Sequence, residues 1–469
     1  MIAAESSQAR HRSSSLWLDR FDGSLSPRPA LAGDLQCDVA IVGAGFTGLW
    51  TAYHLATLQP DLRVVVIERE IAGHGASGRN GGWAIGGLSG TPTAYGCAPG
   101  DERIARALRA THEAIDQIGA IAAREGIDCD FVKAGALTLA TSAPQWRRLQ
   151  ARDADAAAAA GHGDSDGALL SAADAGELVA GVPRLHGGRF TPHAARIDPA
   201  RLVRGLAEAC ERRGVTIHEQ TTATAIERGR VRTTHGVVSA EAVIRATESY
   251  TTQLRGERLR YLPLYSLMIA TAPLDPSAWE ELRWRDGLLV DDRHHLFFYA
   301  QRTSDGRIAI GGRGAPYRLA RPIDPANERN EGVRARLVAT IARTFPAAAT
   351  AEITHHWGGP LAAPRDWSMS VNFDRTTGVG SAGGYTGHGV AAAQIAGATL
   401  ADLVLSRDSD LVTLPWVGHR SRRWEPEPLR FLASRAIVGT LGAADRREDR
   451  TGRPDPRVRL LRPFLPPAH

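Results

Sequence analysis

Lysine is almost missing: Lys133 is the only one among 56 lysines and arginines. Cysteine is scarce as well. Cys37, Cys97, Cys129 and Cys210 form no C-x-x-C pair and no metal-ligand spacing. That excludes a disulfide-framed secreted domain and a zinc module, and fits reduced thiols in a cytosolic protein. No apolar run approaches the roughly 20 residues of a membrane helix. The opening stretch, MIAAESSQARHRSSSLW, lacks the apolar segment of a secretory signal. No membrane contact and a cytoplasmic location are therefore expected. Neither sign of charge dominates, with a net charge of +5. The densest basic run, GHRSRRWEPEP, is broken by acids, whereas a nucleic-acid backbone calls for a clustered basic stripe. Nucleic acid is not an expected partner. No internal repeat is visible.

What is present is glycine, 49 of them, many in short motifs. Residues 38–48 read DVAIVGAGFTG, and VVVIER follows at 64–69. A buried strand, a glycine turn, a helix stopped near Pro60 and a second buried strand make a parallel βαβ unit. Gly43 permits the tight turn. Gly45 lets backbone approach a pyrophosphate, and Gly48 lets the helix lie close on the sheet. Glu68 ends the second strand about 20 residues further on, where it can accept ribose hydroxyls. The helix N-terminus offers N–H groups to phosphates. This is a dinucleotide site, and the motif alone does not separate FAD from NAD. GASGRNGG comes directly after the second strand. Its small residues suit close approach to a flat ring, and Arg79 is placed to offset negative charge there.

Further along, helical spacing of Ile104, Leu108, Ile115, Ile118 and Ile121 predicts a helix in 101–126. Residues 144–180 read as helical, with a loop at GHGDSDG. DPARLVRGLAEACERRG predicts a helix with Asp198 at its N-cap and Pro199 in its first turn. Alternating strands near 258–315 predict an antiparallel sheet of another domain. His294–His295 and His355–His356 sit in strand-like runs, where neighbours face opposite ways. No metal site is expected.

DVAIVGAGFTGLWTAYHL, VVVIERE, GASGRNGG, VIRATESYT and GGYTGHGVA occur in the order seen in the D-amino-acid oxidase superfamily of FAD enzymes. The likeness runs from about Leu16 to Leu405, and the SGRNGG form resembles the gamma-glutamylputrescine oxidoreductase-like amine oxidases. The resemblance implies an α/β fold, with a Rossmann-like FAD-binding domain interleaved with an antiparallel-sheet substrate domain. The expected pieces are an N-terminal arm or loop at 1–35 and FAD-binding segments at 36–90, 190–255 and 350–410. Substrate segments are expected at 91–189 and 256–349, and a helical tail at 411–469.

The resemblance further implies FAD held by Gly43, Gly45, Phe46, Thr47, Gly48, Glu68 and Arg69, and by Ala76, Ser77, Arg79, Asn80, Gly81 and Gly82. Ala223, Ala246 and Thr247, and Gly387, His388, Gly389 and Val390 complete the set. Relatives that bind flavin covalently use a late cysteine, or a histidine near the place of Asn80; neither is here, so FAD is expected to be noncovalent. Sarcosine-oxidase-like members carry a lysine where Ala391 stands and another over the flavin, where this chain offers only Arg307. A simple N-methyl amino acid is thus a poor fit, and O2 as acceptor is open.

The expected reaction is oxidation of a primary or secondary amine to an imine, then hydrolysis to aldehyde plus amine, with O2 or an electron carrier as acceptor. Tyr265 and His388 are the catalytic candidates, and Tyr299 and Trp357 the substrate-binding ones, with core packing as the plain alternative for each aromatic. Two rival readings stand: an amino-acid or aminophosphonate dehydrogenase using a carrier, and an RNA-binding tRNA-modification flavoprotein. The protein is expected to be a monomer or small homo-oligomer.

Overall fold

The structure is a computed structural model that describes residues 8–98, 100–160, 167–315, 318–319, 323–461 and 465. The expected GHGDSDG loop, but for its last residue, and most of the proline-rich end lie outside the described residues.

β1 (Leu35–Val42) is the spine of the first sheet. Its last four residues are all buried, which explains the unbroken apolar run. The chain turns at Gly43, crosses over through α1 (Phe46–Leu58) and returns as β2 (Val64–Ile67), parallel to β1. Val237–Arg245 pairs with the other edge of β1, also parallel. Thr216–His218 and Val379–Gly383 extend the sheet on its two sides. The helices Pro199–Arg212 and Gly389–Val404 share a core with α1, built on Ile41, Trp50, Leu206 and Ile395. Asp198 caps the former helix as expected, its Oδ1 accepting from Ala200 N and Arg201 N at 3.0 Å each.

The second sheet has eight strands, in the order Ile353–Ala363, Leu262–Thr271, Ile308–Ala315, Phe298–Arg302, Leu289–Asp292, Ala136–Ala140, Gly187–Thr191 and Ala168–Ser171. Pairing is antiparallel except between Leu289–Asp292 and Ala136–Ala140. One face packs on Trp284, Leu337 and Phe345. On the other face Trp357, Met268, Gly311, Tyr299, Asp291, Thr138 and Arg189 stand opposite one another across seven adjacent strands.

Three expectations differ from what the fold shows. The N-terminal arm is not a loose loop throughout: Leu16–Asp19 is a short helix, and Leu16, Trp17 and Leu18 are buried with Trp357 and Met268. Their partners are hundreds of residues away, so local polarity hides them. Two expected FAD-binding spans overlap the second sheet, since Gly187–Thr191 and Ile353–Ala363 both pair there. Finally, His294 and His295 lie in the turn after Leu289–Asp292 and not in a strand. The tail contributes the helix Leu429–Thr451. Among the described residues no helix is long and apolar enough to cross a membrane.

Candidate cofactor and active site

Gly43 has φ +108°, a conformation L side chains avoid, and a Cβ there would lie 2.5 Å from the carbonyl oxygen of Ala246. Gly48 is needed for another reason. A Cβ on it would fall 1.9 Å from the Gly43 carbonyl oxygen, so the helix can start this close to its own turn only without a side chain. α1 has Gly45 at its N-cap position and no side-chain cap. Ser77 Oγ accepts from Phe46 N at 2.8 Å and ties the GASGRNGG segment to this helix start.

Glu68 is half-buried just past the end of β2. Its two carboxylate oxygens accept from Ala44 N at 2.8 Å and Glu70 N at 2.9 Å. Burial pushes its carboxyl above the usual range, and those two N–H groups work against the shift. A carboxylate has lone pairs beyond these two bonds for further donors.

The segment after it is held from behind. Ser15 Oγ donates to Gly78 O at 3.1 Å, and Trp357 Nε1 to Arg79 O at 3.0 Å. Trp17 Nε1 donates to Asn80 O at 2.8 Å, and Gln301 Nε2 to Gly81 O at 2.6 Å. Four consecutive carbonyls are thus taken by side chains from three distant parts of the chain. Asn80 spends its own amide on the loop, donating to Ser77 O and accepting from Gly82 N, each at 2.8 Å. Arg79 is buried and already paired, its NH1 2.7 Å from Glu328 Oε2 and its NH2 donating to Tyr250 Oη at 3.2 Å.

Elsewhere on the cavity wall, Gly387 (φ +125°) leads into the Gly389–Val404 helix, with His388 at the N-cap position and no side-chain cap. The His388 ring stands beside Gly87. Tyr385 Oη and Thr47 Oγ1, 2.8 Å apart, link this turn to α1. Tyr265 is buried, its hydroxyl accepting from Asp324 N at 3.1 Å. Tyr299 shares a 2.7 Å hydrogen bond with Ser266 and lies so close to Gly81 that a Cβ there would touch its ring.

These parts enclose one cavity of about 840 Å³. It is lined by Gly43, Gly45, Phe46, Thr47, Glu68, Arg69, Ala76, Ser77, Arg79, Asn80 and Gly81, by Ala223, Ala246 and Thr247, by Gly387, His388, Gly389 and Val390, and by Tyr265 and Tyr299. Three named residues lie off it. Gly48 is behind the turn, Gly82 is packed under Gln301, and Trp357 faces the N-terminal helix, where it crosses Trp17 edge to face. Arg307 is tied to Asp305 at 2.7 Å and also does not line the cavity.

Sequence reading missed several lining residues. Glu248 is half-buried, its Oε2 accepting from Ala362 N at 2.6 Å, and desolvation pushes its carboxyl up to about 7. Tyr250 and Tyr385 sit inside quoted motifs and were within reach. Asp291 and Arg152 carry no local signal. Histidine pairs give little: among the described residues His295, Asp445 and Glu448 come close enough for a cation. However, Asp445 already accepts from His295 N and Leu296 N, and Glu448 pairs with Arg148 at 2.7 Å.

A helix start whose N-cap residue is a glycine, a cradle of small residues and a half-buried acid beyond it fit an extended dinucleotide. The family model described as FAD dependent oxidoreductase (DAO) matches residues 38–403. The chain belongs to this family. It is an FAD-dependent oxidoreductase. It is 31% identical to the probable oxidoreductase OrdL of Rhizobium meliloti, over 82% of this chain and 86% of that one. It is 29% identical to the gamma-glutamylputrescine oxidoreductase of Escherichia coli, over 81% and 86%. Its fold is similar to that of glycine oxidase from Geobacillus kaustophilus, with TM-score 0.65 and 21% identity over 80% of this chain and 96% of that one. Within this DAO-family chain, Gly43, Gly45, Glu68, Ala76, Ser77, residues 79–81 and the His388 turn line the same cavity.

Proposed function

We propose that this enzyme oxidises an amine at its C–N bond to an imine, which water then splits into an aldehyde and a released amine. The observation that carries the reading is one shared cavity: it is lined by residues 79–81 of the tethered loop, by Tyr265 and Tyr299, and by the start of the Gly389–Val404 helix. The names of the relatives, an oxidoreductase of gamma-glutamylputrescine and a glycine oxidase, support an amine donor.

FAD, when bound noncovalently, supplies the two-electron acceptor for the hydride that leaves the substrate α-carbon. The protein's task is to bind the neutral amine, aim that C–H and keep water out. Tyr299 and Tyr265 are fixed by Ser266 and Asp324 and form an apolar wall. His388, at the helix start, is the side chain placed to take the amine proton. The helix end stabilises negative charge that develops beside it.

A specific observation favours a carrier over O2 as acceptor. Lys133 is paired with Asp116, Arg307 with Asp305, and neither lines the cavity. The test is anaerobic bleaching of the purified yellow protein with polyamines, gamma-glutamyl amines, aminophosphonates and N-methyl amino acids. Hydrogen peroxide is then measured with and without an artificial dye. Bleaching by no amine overturns the reading; peroxide without dye at the rate seen with dye overturns the carrier.

A further inference from the structure

The positive charge of the chain is not spread evenly. Residues 411–469, beyond the span that the family model matches, hold 12 arginines and six acids. Everything before them holds 44 lysines and arginines against 45 acids. The tail therefore carries the whole of the net positive charge. Its six acids are also spoken for. Glu425 meets Arg365 at 3.1 Å, Glu427 meets Arg430 at 2.7 Å, Asp449 meets His294 at 3.0 Å and Asp455 meets Arg457 at 2.6 Å. Asp445 accepts from His295 N and Leu296 N, and Glu448 pairs with Arg148. Among the described residues, eight exposed arginines of the tail meet no carboxylate, Arg435, Arg446 and Arg450 among them.

Apolar side chains surface in the same place. Among the described residues five large ones are exposed, and the three most exposed are Leu429 at 62%, Leu432 at 57% and Leu460 at 78%. Leu429, Leu432, Ala436, Gly439, Arg446 and Arg450 recur at spacings of three, four and seven, which puts them on one face of the helix Leu429–Thr451. No exposed position of that helix is an acid. Its other face is buried through Arg430, Leu441, Ala444, Asp445 and Glu448, and Arg430 NH1 donates to Tyr261 O at 3.0 Å. The helix is thus held from behind at both ends, and its outer face is a fixed ledge with leucines at one end and arginines at the other.

We propose that this ledge docks the enzyme on an anionic membrane surface, with Leu429 and Leu432 entering among the lipid head groups and Arg446 and Arg450 on lipid phosphates. A spanning helix is not needed, because an interfacial helix lies in the plane of the bilayer. Nucleic acid would use the arginines and leave the leucines in water. A protein groove calls for large anchors repeated along the helix, whereas beyond Leu432 this face offers only alanine and glycine before the arginines begin. The docking is independent of the amine-oxidation reading, and no step of that reaction depends on it.

The experiment uses the full-length FAD-loaded enzyme and vesicles of phosphatidylcholine, alone or mixed with phosphatidylglycerol, and reads the flavin absorbance that sediments with them. Partition onto the mixed vesicles is expected to exceed that onto phosphatidylcholine by about tenfold or more, and to weaken as salt rises. Leu429→Ser with Leu432→Ser is expected to lower it about tenfold, since each leucine would bury apolar area. Arg446→Gln with Arg450→Gln is expected to lower it by about the same factor and to flatten the salt dependence. Leu58→Ser, at an exposed leucine outside the tail, is expected to leave it unchanged. Circular dichroism and the flavin-to-protein absorbance ratio check that each variant folds.

Equal partition onto the two kinds of vesicle overturns the proposal without any variant. So does binding to the mixed vesicles that the paired leucine substitution does not weaken. A dimer in solution that this substitution splits into monomers assigns the ledge to a second copy of the chain and overturns it as well. Binding of poly-L-glutamate as tight as that of the mixed vesicles points to an acidic protein and has the same consequence.

Discussion

Gly48 shows how one hydrogen in place of a methyl group sets the turn at the start of α1. Its absent Cβ would overlap the backbone oxygen of Gly43, and backbone yields less readily than a side chain. Gly48→Ala is expected to lower the flavin-to-protein absorbance ratio at least tenfold. Gly176→Ala, in a helix with nothing within 4 Å of the added atom, is expected to keep the colour and gain up to about 1 kcal/mol in urea unfolding. Asp291 gives a second residue-scale prediction. Burial holds its carboxyl up at about 7, with Asp292 raising it further and Thr138, Arg293 and Arg152 opposing. The folded protein therefore keeps a proton that the unfolded chain has lost between about pH 4 and pH 7. Stability falls as pH rises through that window. In Asp291→Asn the melting temperature is expected to lose this component of its pH dependence and to exceed that of the parent at pH 8. A variant that melts lower at pH 8 would count against the reading of Asp291 as an acid that burial keeps protonated.

Between elements, the contacts that count are those that sequence spacing does not announce. The helix Leu429–Thr451 was foreseeable from its own pattern, but not where it docks. Asp445 receives His295 N and Leu296 N, and His294 lies between Asp292 and Asp449. Burial alone would lower His294; Asp292, Asp449 and Asp445 together outweigh it and hold the ring up at about 10. Docking is thus supported in full below the unfolded value near 6.5 and is lost as pH rises through about 10. Hydrogen-exchange protection across 429–451, taken relative to the intrinsic rate at each pH, is expected to fall over that range. In His294→Gln protection is expected to be low and nearly flat with pH; an unchanged protection profile would refute the latch. The Arg79–Glu328 pair joins the flavin loop to the short helix Pro325–Asn327. Glu328→Gln leaves a buried guanidinium with no carboxylate and only the neutral acceptors Tyr250 and the Gly75 carbonyl, and is expected to cost about 3 kcal/mol in urea unfolding.

For the molecule as a whole, the first sheet was legible and the second much less so. β1, α1 and β2 follow from a local pattern: two apolar strands, three glycines and an acid. Gly43, Gly45 and Glu68, which they position, line the cavity. Tyr265 and Tyr299 were picked as aromatics on alternating strands, and both line the cavity. Trp357 satisfied the same rule and points under the N-terminal helix instead, because which half of a strand is covered depends on a segment more than 300 residues away in sequence. Asp291 and Arg152 were invisible for the same reason, since strand pairing across 138, 189, 291 and 299 is non-local. Trp17→Phe combined with Ser15→Ala removes two of the four donors behind the flavin loop and keeps most of the packing. Leaving two buried carbonyls unmet costs about 1–3 kcal/mol each, so FAD affinity is expected to drop at least tenfold in a dialysis titration, with overall folding retained by circular dichroism.

Those four tethers also set an order of events. They come from residues 15 and 17, 301 and 357. A nascent chain that has emerged only through its first hundred residues carries the glycine turn and the loop, yet lacks half of what immobilises them. Vitamin-derived colour should therefore appear late in synthesis, after the ribosome has passed residue 357, and not when the nucleotide-gripping turn is first made.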